Sequence, residues 1–208
     1  MRRGGRGEPP RRPIGMAETE NKPKVLLVLR EKSNDVDFML SREAGVMIEM
    51  LQAAGFAVVT ASASGGPIGQ GATRIRPDLK LAEVSVADYV GVLLPSMAVG
   101  LMAPIPARLI RIVRRAAAVK KPLAAQHGSV VVLQRAGVLK KKKYAFQRQV
   151  FTEGEYAGPG VVRDGNLITS GTCPYLARET GRPDGTTTLT RLFIQAITGM
   201  EATYDLQK

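Results

Sequence analysis

The chain has 208 residues and an apolar fraction of 44 %, enough for one domain with a sizeable core. A single cysteine, Cys173, excludes an internal disulfide and points toward a reducing compartment. The net charge of +12 lies in clusters without interleaved aromatics, which reads as a basic leader plus solvated faces and disfavours nucleic acid as a partner.

Residues 1–15 carry five Arg against one Glu, and 1–22 bury too little apolar surface to offset their ordering entropy. A disordered basic leader is expected over 1–22, with one folded domain over 23–208. Met16 offers an alternative start. No apolar run follows the arginines, so no secretory signal is read.

Lys24–Leu29, KVLLVL, predicts a strand buried on both faces, as in a parallel sheet. A polar loop follows, then a helix over Phe38–Ala54 ended by Gly55. Phe56–Thr60 is the second strand, completing a right-handed crossover unit. The glycine-rich stretch 63–72 lacks the Lys-Ser/Thr ending of a phosphate-binding loop and reads as a mobile surface excursion. Ile75–Leu81 alternates and reads as extended. Tyr89–Leu94 is another buried strand.

The uncharged run Tyr89–Ala107 approaches the length of a membrane span, but three prolines and two glycines break it. It reads as strand, loop and helix start, and the protein as cytoplasmic. Pro104 or Pro106 opens a helix with Leu109, Ile110 and Val113 inward and arginines outward.

The next stretch, Lys121–Leu139, carries the function-related signal. Pro122–Ala125 reads as a buried strand. A sharp turn follows at Gln126, His127, Gly128 and Ser129, then a helix bearing Val131, Val132 and Leu133 and stopping at Gly137. Strand, tight turn and helix over 122–137 form the architecture of a nucleophile elbow. The only histidine, His127, occupies the turn. Downstream, Lys140–Lys143 is a solvated turn and Tyr144–Phe151 is extended. Gly158–Val162 and Leu167–Ser170 flank an Asp164-Gly165 hairpin signal. Gly171–Gly185 is a polar loop, and Thr186–Thr198 is a closing amphipathic helix. Alternating strands and helices define an α/β protein with a mainly parallel sheet.

In this order the elements resemble the ThiJ/PfpI superfamily. The resemblance runs from Lys24 to Gly199. It rests on KVLLVL with a helix ending AAGF, on ADYVGVLLP, on KPLAA…LxxAGVL without a gap, and on DGNLITS. It implies a flavodoxin-like three-layer sandwich of the class I glutamine-amidotransferase type. Members of that superfamily place a cysteine in the elbow; the ungapped match puts His127 there, and a one-residue shift would put Gln126 there. Either way the thiol is missing. The family's first-helix glutamate corresponds to Glu43. Its Gly-Gly pair after the central strand corresponds to Ser96 and Met97, and its late-loop Gly-Pro-Gly run to Gly171-Thr172-Cys173-Pro174.

The resemblance thus marks His127 and Glu43 as candidate catalytic residues. Gln126, Gly128, Ser96, Met97 and Cys173 are candidate binding residues. In this reading His127 acts as a general base, with Glu43 orienting the ring and favouring imidazolium. Elbow residues sit in strained backbone worth about 1–3 kcal/mol, so His127 is expected either in a relaxed conformation or binding something. No metal motif and no cofactor is read from the spacing. The expected function is a non-thiol member of the superfamily that binds a small molecule as a regulatory or structural homodimer or larger oligomer. The alternative is a hydrolase or hydratase on a small carbonyl or amide substrate, using His127 with Glu43.

Overall fold

The structure is a computed structural model and describes residues 22–31, 35–96 and 104–199. The expected leader over 1–22, apart from Lys22, and Met97 lie outside the described residues. Strand β1 (Lys24–Val28) is followed by α1 (Val36–Met39), a π-helical turn (Leu40–Ala44) and α2 (Gly45–Ala53). Then come β2 (Ala57–Ser62), β3 (Leu79–Lys80) and β4 (Gly91–Leu94). Helix α3 (Ala107–Ala118), β5 (Leu123–Gln126) and α4 (Val130–Arg135) follow. The chain continues through β6 (Lys143–Tyr144), β7 (Glu155–Tyr156), β8 (Val161–Asp164) and β9 (Leu167–Ser170). It ends with α5 (Pro174–Thr180) and α6 (Thr186–Thr198).

Seven strands form one sheet in the order β3-β2-β1-β4-β5-β9-β8, parallel except for the β8–β9 hairpin. Strand β1 is flanked on both edges, with Leu26 opposite Val59 on one side and Val92 on the other. Its side chains alternate between two cores. Val25 and Leu27 join Met47, Leu51, Leu189 and Phe193 on the α2/α6 face. Leu26 and Val28 join Leu109, Ile112, Val113 and Val130 on the α3/α4 face. The result is the expected three-layer α/β sandwich with a mainly parallel sheet.

Five local readings are corrected. The first helix begins at Val36, two residues before Phe38, and carries a π-turn that no periodicity revealed. The stretch 63–72 is pinned: Ile68 is 1 % exposed and pairs through its backbone with Ile75. On α3 the fully buried residue is Ile112 rather than Ile110, which is half-buried. The polar loop over 171–185 contains α5, with proline at its first turn and Gly181 at φ 69° closing it; these are end signals on a helix too polar to show an apolar period. Tyr144–Phe151 is strand only at its start, although Tyr144, Ala145 and Phe146 are buried.

Gly91 marks a close contact between sheet and helix. A Cβ there would stand 2.7 Å from Phe193 Cζ and 3.2 Å from Pro122 O. Gly91→Ala is therefore expected to destabilise the fold by about 1–3 kcal/mol through overpacking, measured by urea unfolding. A neutral result would mean that α6 is free to shift away from β4.

Candidate functional site

The turn after β5 reverses the chain within one residue. Gln126 is still extended at φ −107°, and His127 then takes φ 41°, in the left-handed region. A single 3₁₀ turn, His127–Ser129, leads into the helix Val130–Arg135, whose first four residues are all buried. A fully buried strand joined to a buried helix by so short a turn concentrates the backbone strain on His127. The strand-to-helix reversal thus coincides with the ungapped position and not with Gln126.

Glu43 reaches the same place from the π-turn. That extra residue in the helical turn brings Glu43 inward beside Leu40 and Ala44, all three buried. Its Oε1 accepts the Ser96 N–H at 2.8 Å, just beyond β4. Ser96 Oγ lies 3.2 Å from His127 Nδ1, and Cys173 Sγ lies 3.4 Å from the same nitrogen. The His127 ring stacks on Phe146 with centroids 5.9 Å apart. Glu43, Ser96, His127 and Cys173 therefore meet at the carboxyl rim of β4, β5 and β9, where ligands bind in parallel sheets.

The expected direct pairing of Glu43 with the imidazole is absent. Among the described residues the carboxyl bonds the Ser96 backbone and the ring faces the Ser96 hydroxyl, so Ser96 stands between them. Among the described residues Glu43 Oε2 and His127 Nε2 are buried without a hydrogen-bond partner. Such orphaned groups are rare in folded interiors.

The remaining candidates anchor the rim. The Gln126 amide donates to Thr172 O at 2.9 Å, Thr186 Oγ1 at 3.0 Å and Asp184 Oδ1 at 3.3 Å. It thereby fastens the loop that carries Cys173. Gly128 is buried inside the reversal. Ser129 Oγ donates to Pro95 O and ties the elbow to the exit of β4. From the sequence, Ser129 is placed only in the turn and Thr172 only in the late loop, and none of Ser129, Thr172, Asp184 and Thr186 is assigned to the site.

Burial sets the charge state. It pushes the Glu43 carboxyl well above its ordinary pKa, opposed by the Ser96 N–H and reinforced by the charge of Asp184. It lowers the His127 imidazole, with Gln147 biasing the ring the other way without a bond of good geometry to Nε2. It also raises the Cys173 thiol, and Glu43 would add to that shift only in its ionised form. Imidazolium is thus disfavoured, contrary to the sequence expectation. At each of the three groups burial favours the neutral form: carboxylic acid, imidazole and thiol. No group of three His, Cys, Asp or Glu residues arranged to hold a metal occurs among the described residues.

A flavodoxin-like sheet with a strained strand–helix elbow on its carboxyl rim defines the class. The DJ-1/PfpI family model matches residues 23–179, and the chain belongs to that family. A two-domain protein from Anabaena variabilis with DJ-1/ThiJ/PfpI-like and ferritin-like domains superposes with a TM-score of 0.65 at 21 % identity, covering 90 % of this chain. This chain spans 52 % of that protein. Drosophila melanogaster DJ-1beta gives a TM-score of 0.61 at 22 % identity, over 86 % of this chain and 95 % of that one. A DJ-1 superfamily protein from Agrobacterium tumefaciens gives 0.62 at 15 % identity, over 87 % and 92 %. At these identities the likeness is one of fold. A comparison with curated proteins finds no match. No helix among the described residues is long and apolar enough to cross a membrane.

Two outcomes follow from this geometry. At a left-handed residue, glycine avoids a steric penalty of about 1–2 kcal/mol that alanine bears. His127→Gly is therefore expected to be more stable than His127→Ala by about 1 kcal/mol after the glycine entropy loss, the reverse of the order in ordinary helix or strand. Chemical unfolding of the two variants reads the difference, and alanine equal or better would mean a relaxed turn. For Glu43 the folded-state pKa is raised, so its contribution to stability is complete below the unfolded value of about 4.3 and is lost as pH rises toward the folded value. Glu43→Gln keeps an acceptor for the Ser96 N–H and removes the ionisation. Wild-type stability relative to this variant is expected to fall as pH rises above the unfolded value of about 4.3, and a difference flat in pH would contradict a carboxyl whose pKa burial has raised.

Proposed function

We propose that the chain is a DJ-1/PfpI family member that binds a small molecule at the elbow without thiolate chemistry. A regulatory or structural homo-oligomer is the assembly in which it would act. One observation carries the reading. Burial moves the Cys173 and His127 pKa values apart, the thiol up and the imidazole down. A thiolate–imidazolium pair needs the opposite shifts. The strained backbone at His127 and the two orphaned polar atoms fit a site whose hydrogen bonds are completed by a ligand with its own donors and acceptors.

The second reading is a hydrolase or hydratase acting on a small carbonyl or amide compound. A neutral imidazole is competent as a base and a protonated carboxyl as an acid, and the unpartnered Nε2 and Oε2 are the atoms that would serve. Water would be the nucleophile. Met97, placed by the resemblance at the oxyanion position, lies outside the described residues.

Proton NMR of the sole histidine separates these readings. Its resonances are expected to titrate below about pH 6.5 in the free protein and to shift on adding a binding amide or carbonyl compound. Unchanged compound over days, together with slow alkylation of Cys173, fits binding alone. Turnover lost in His127→Asn would establish the second reading. Rapid alkylation of Cys173 at neutral pH would overturn the first, and sedimentation equilibrium reads the assembly.

A further inference from the structure

A separate cavity of about 150 Å³ lies on the carboxyl rim over β1 and β2, facing α3. Its apolar wall includes Val28, Leu29, Leu81 and Leu109, and Arg30 and Glu31 supply its charged groups. None of Glu43, Ser96, His127 or Cys173 lines it, so it is independent of the elbow.

The two charges are not equivalent. Glu31 Oε1 accepts the Ser62 hydroxyl and the Ser64 N–H, which hold the carboxylate toward the exit of β2 and lower its pKa. Among the described residues Arg30 makes one hydrogen bond, from Nη2 to Pro104 O at 2.9 Å. Among the described residues it forms no ion pair. A guanidinium has five donors in a planar fork suited to a carboxylate. Here that fork is half-buried beside apolar side chains, and burial already lowers its pKa. An unpaired charge in such a place is unfavourable until an anion meets it.

We propose that this cavity binds a small monocarboxylate with a compact apolar body, its carboxylate held by the Arg30 guanidinium. Three features select that chemistry. A cavity of about 150 Å³ accommodates a body the size of benzene. Leucine and valine walls favour a hydrocarbon tail over a hydrated group. One arginine with Glu31 nearby favours a monoanion over a dianion such as phosphate, which the second charge would repel.

Titration of the full chain with isovalerate and with its neutral isostere isovaleramide, followed by methyl NMR, tests the assignment. Isovalerate is expected to shift the methyls of Val28, Leu81 and Leu109 saturably, and to bind at least about tenfold more tightly than the amide. Arg30→Gln should remove that preference and weaken the acid by about tenfold while leaving the amide unchanged. Arg30→Lys keeps the charge without the fork and should fall between the two. Ala63→Phe, at an exposed lining position, should block both compounds while leaving the fold intact. Equal affinity for acid and amide, undiminished binding in Arg30→Gln, or no saturable shift in the wild type would each overturn the proposal.

Discussion

The rim of this molecule depends on one constraint: the chain must pass from a strand buried on both faces into a helix buried from its first residue. Strand β5 lies between β4 and β9, and α4 packs its valines into the core beneath α3. The reversal therefore happens at one residue, and His127 adopts a left-handed backbone. The surrounding bonds follow from that. Ser129 ties the turn to Pro95, and Gln126 ties it to Thr172 and Thr186. These bonds over-determine the strained residue, which is how strain persists in a folded chain.

The same crowding governs the electrostatics. Three titratable groups are gathered where water is scarce, and each moves toward its neutral form. A thiol in the elbow itself would sit at the start of α4. Cys173 instead sits 3.4 Å from the ring with its side chain fully buried. Proximity alone does not make it a nucleophile, because desolvation acts against both halves of the ion pair that would activate it. The neutral Glu43 has a comparable role: it fixes the Ser96 backbone, and Ser96 in turn faces the imidazole.

Much of this was legible in the sequence. Strong apolar runs such as Lys24–Leu29 and Tyr89–Leu94 specify strands covered on both faces, and the elbow follows from Pro122–Ala125 running into turn residues. What escaped has physical reasons. The π-turn changes helical phase by one residue, and no periodicity in LSREA announces it. Helix α5 is too polar to show an apolar face and is marked only by its proline and its closing glycine. The direct Glu43–His127 pairing failed because two residues on one rim do not reveal which third group stands between them. The charge state failed for a related reason: burial decides it, and burial is a property of the packed chain.

The basic excess also changes meaning once packing is known. From Tyr89 to Thr152 the sequence contains no acidic residue, which suggests a field attractive to polyanions. Several of those cations bond to backbone carbonyls instead. Arg108 bonds Leu81 O and Val84 O, Arg114 bonds Ala136 O, and Lys121 gathers the carbonyls of Val86, Ala87 and Tyr89. Two of these carbonyls, Leu81 O and Val86 O, also accept backbone N–H groups within the 3₁₀ turns Leu81–Glu83 and Val86–Asp88. Arg108 ties the first of those turns to α3, and Lys121 ties the second to the start of β5. Part of the positive charge therefore serves the scaffold that holds the elbow in place. Arg30, half-buried, instead lines a cavity, and among the described residues it bonds a single carbonyl, that of Pro104.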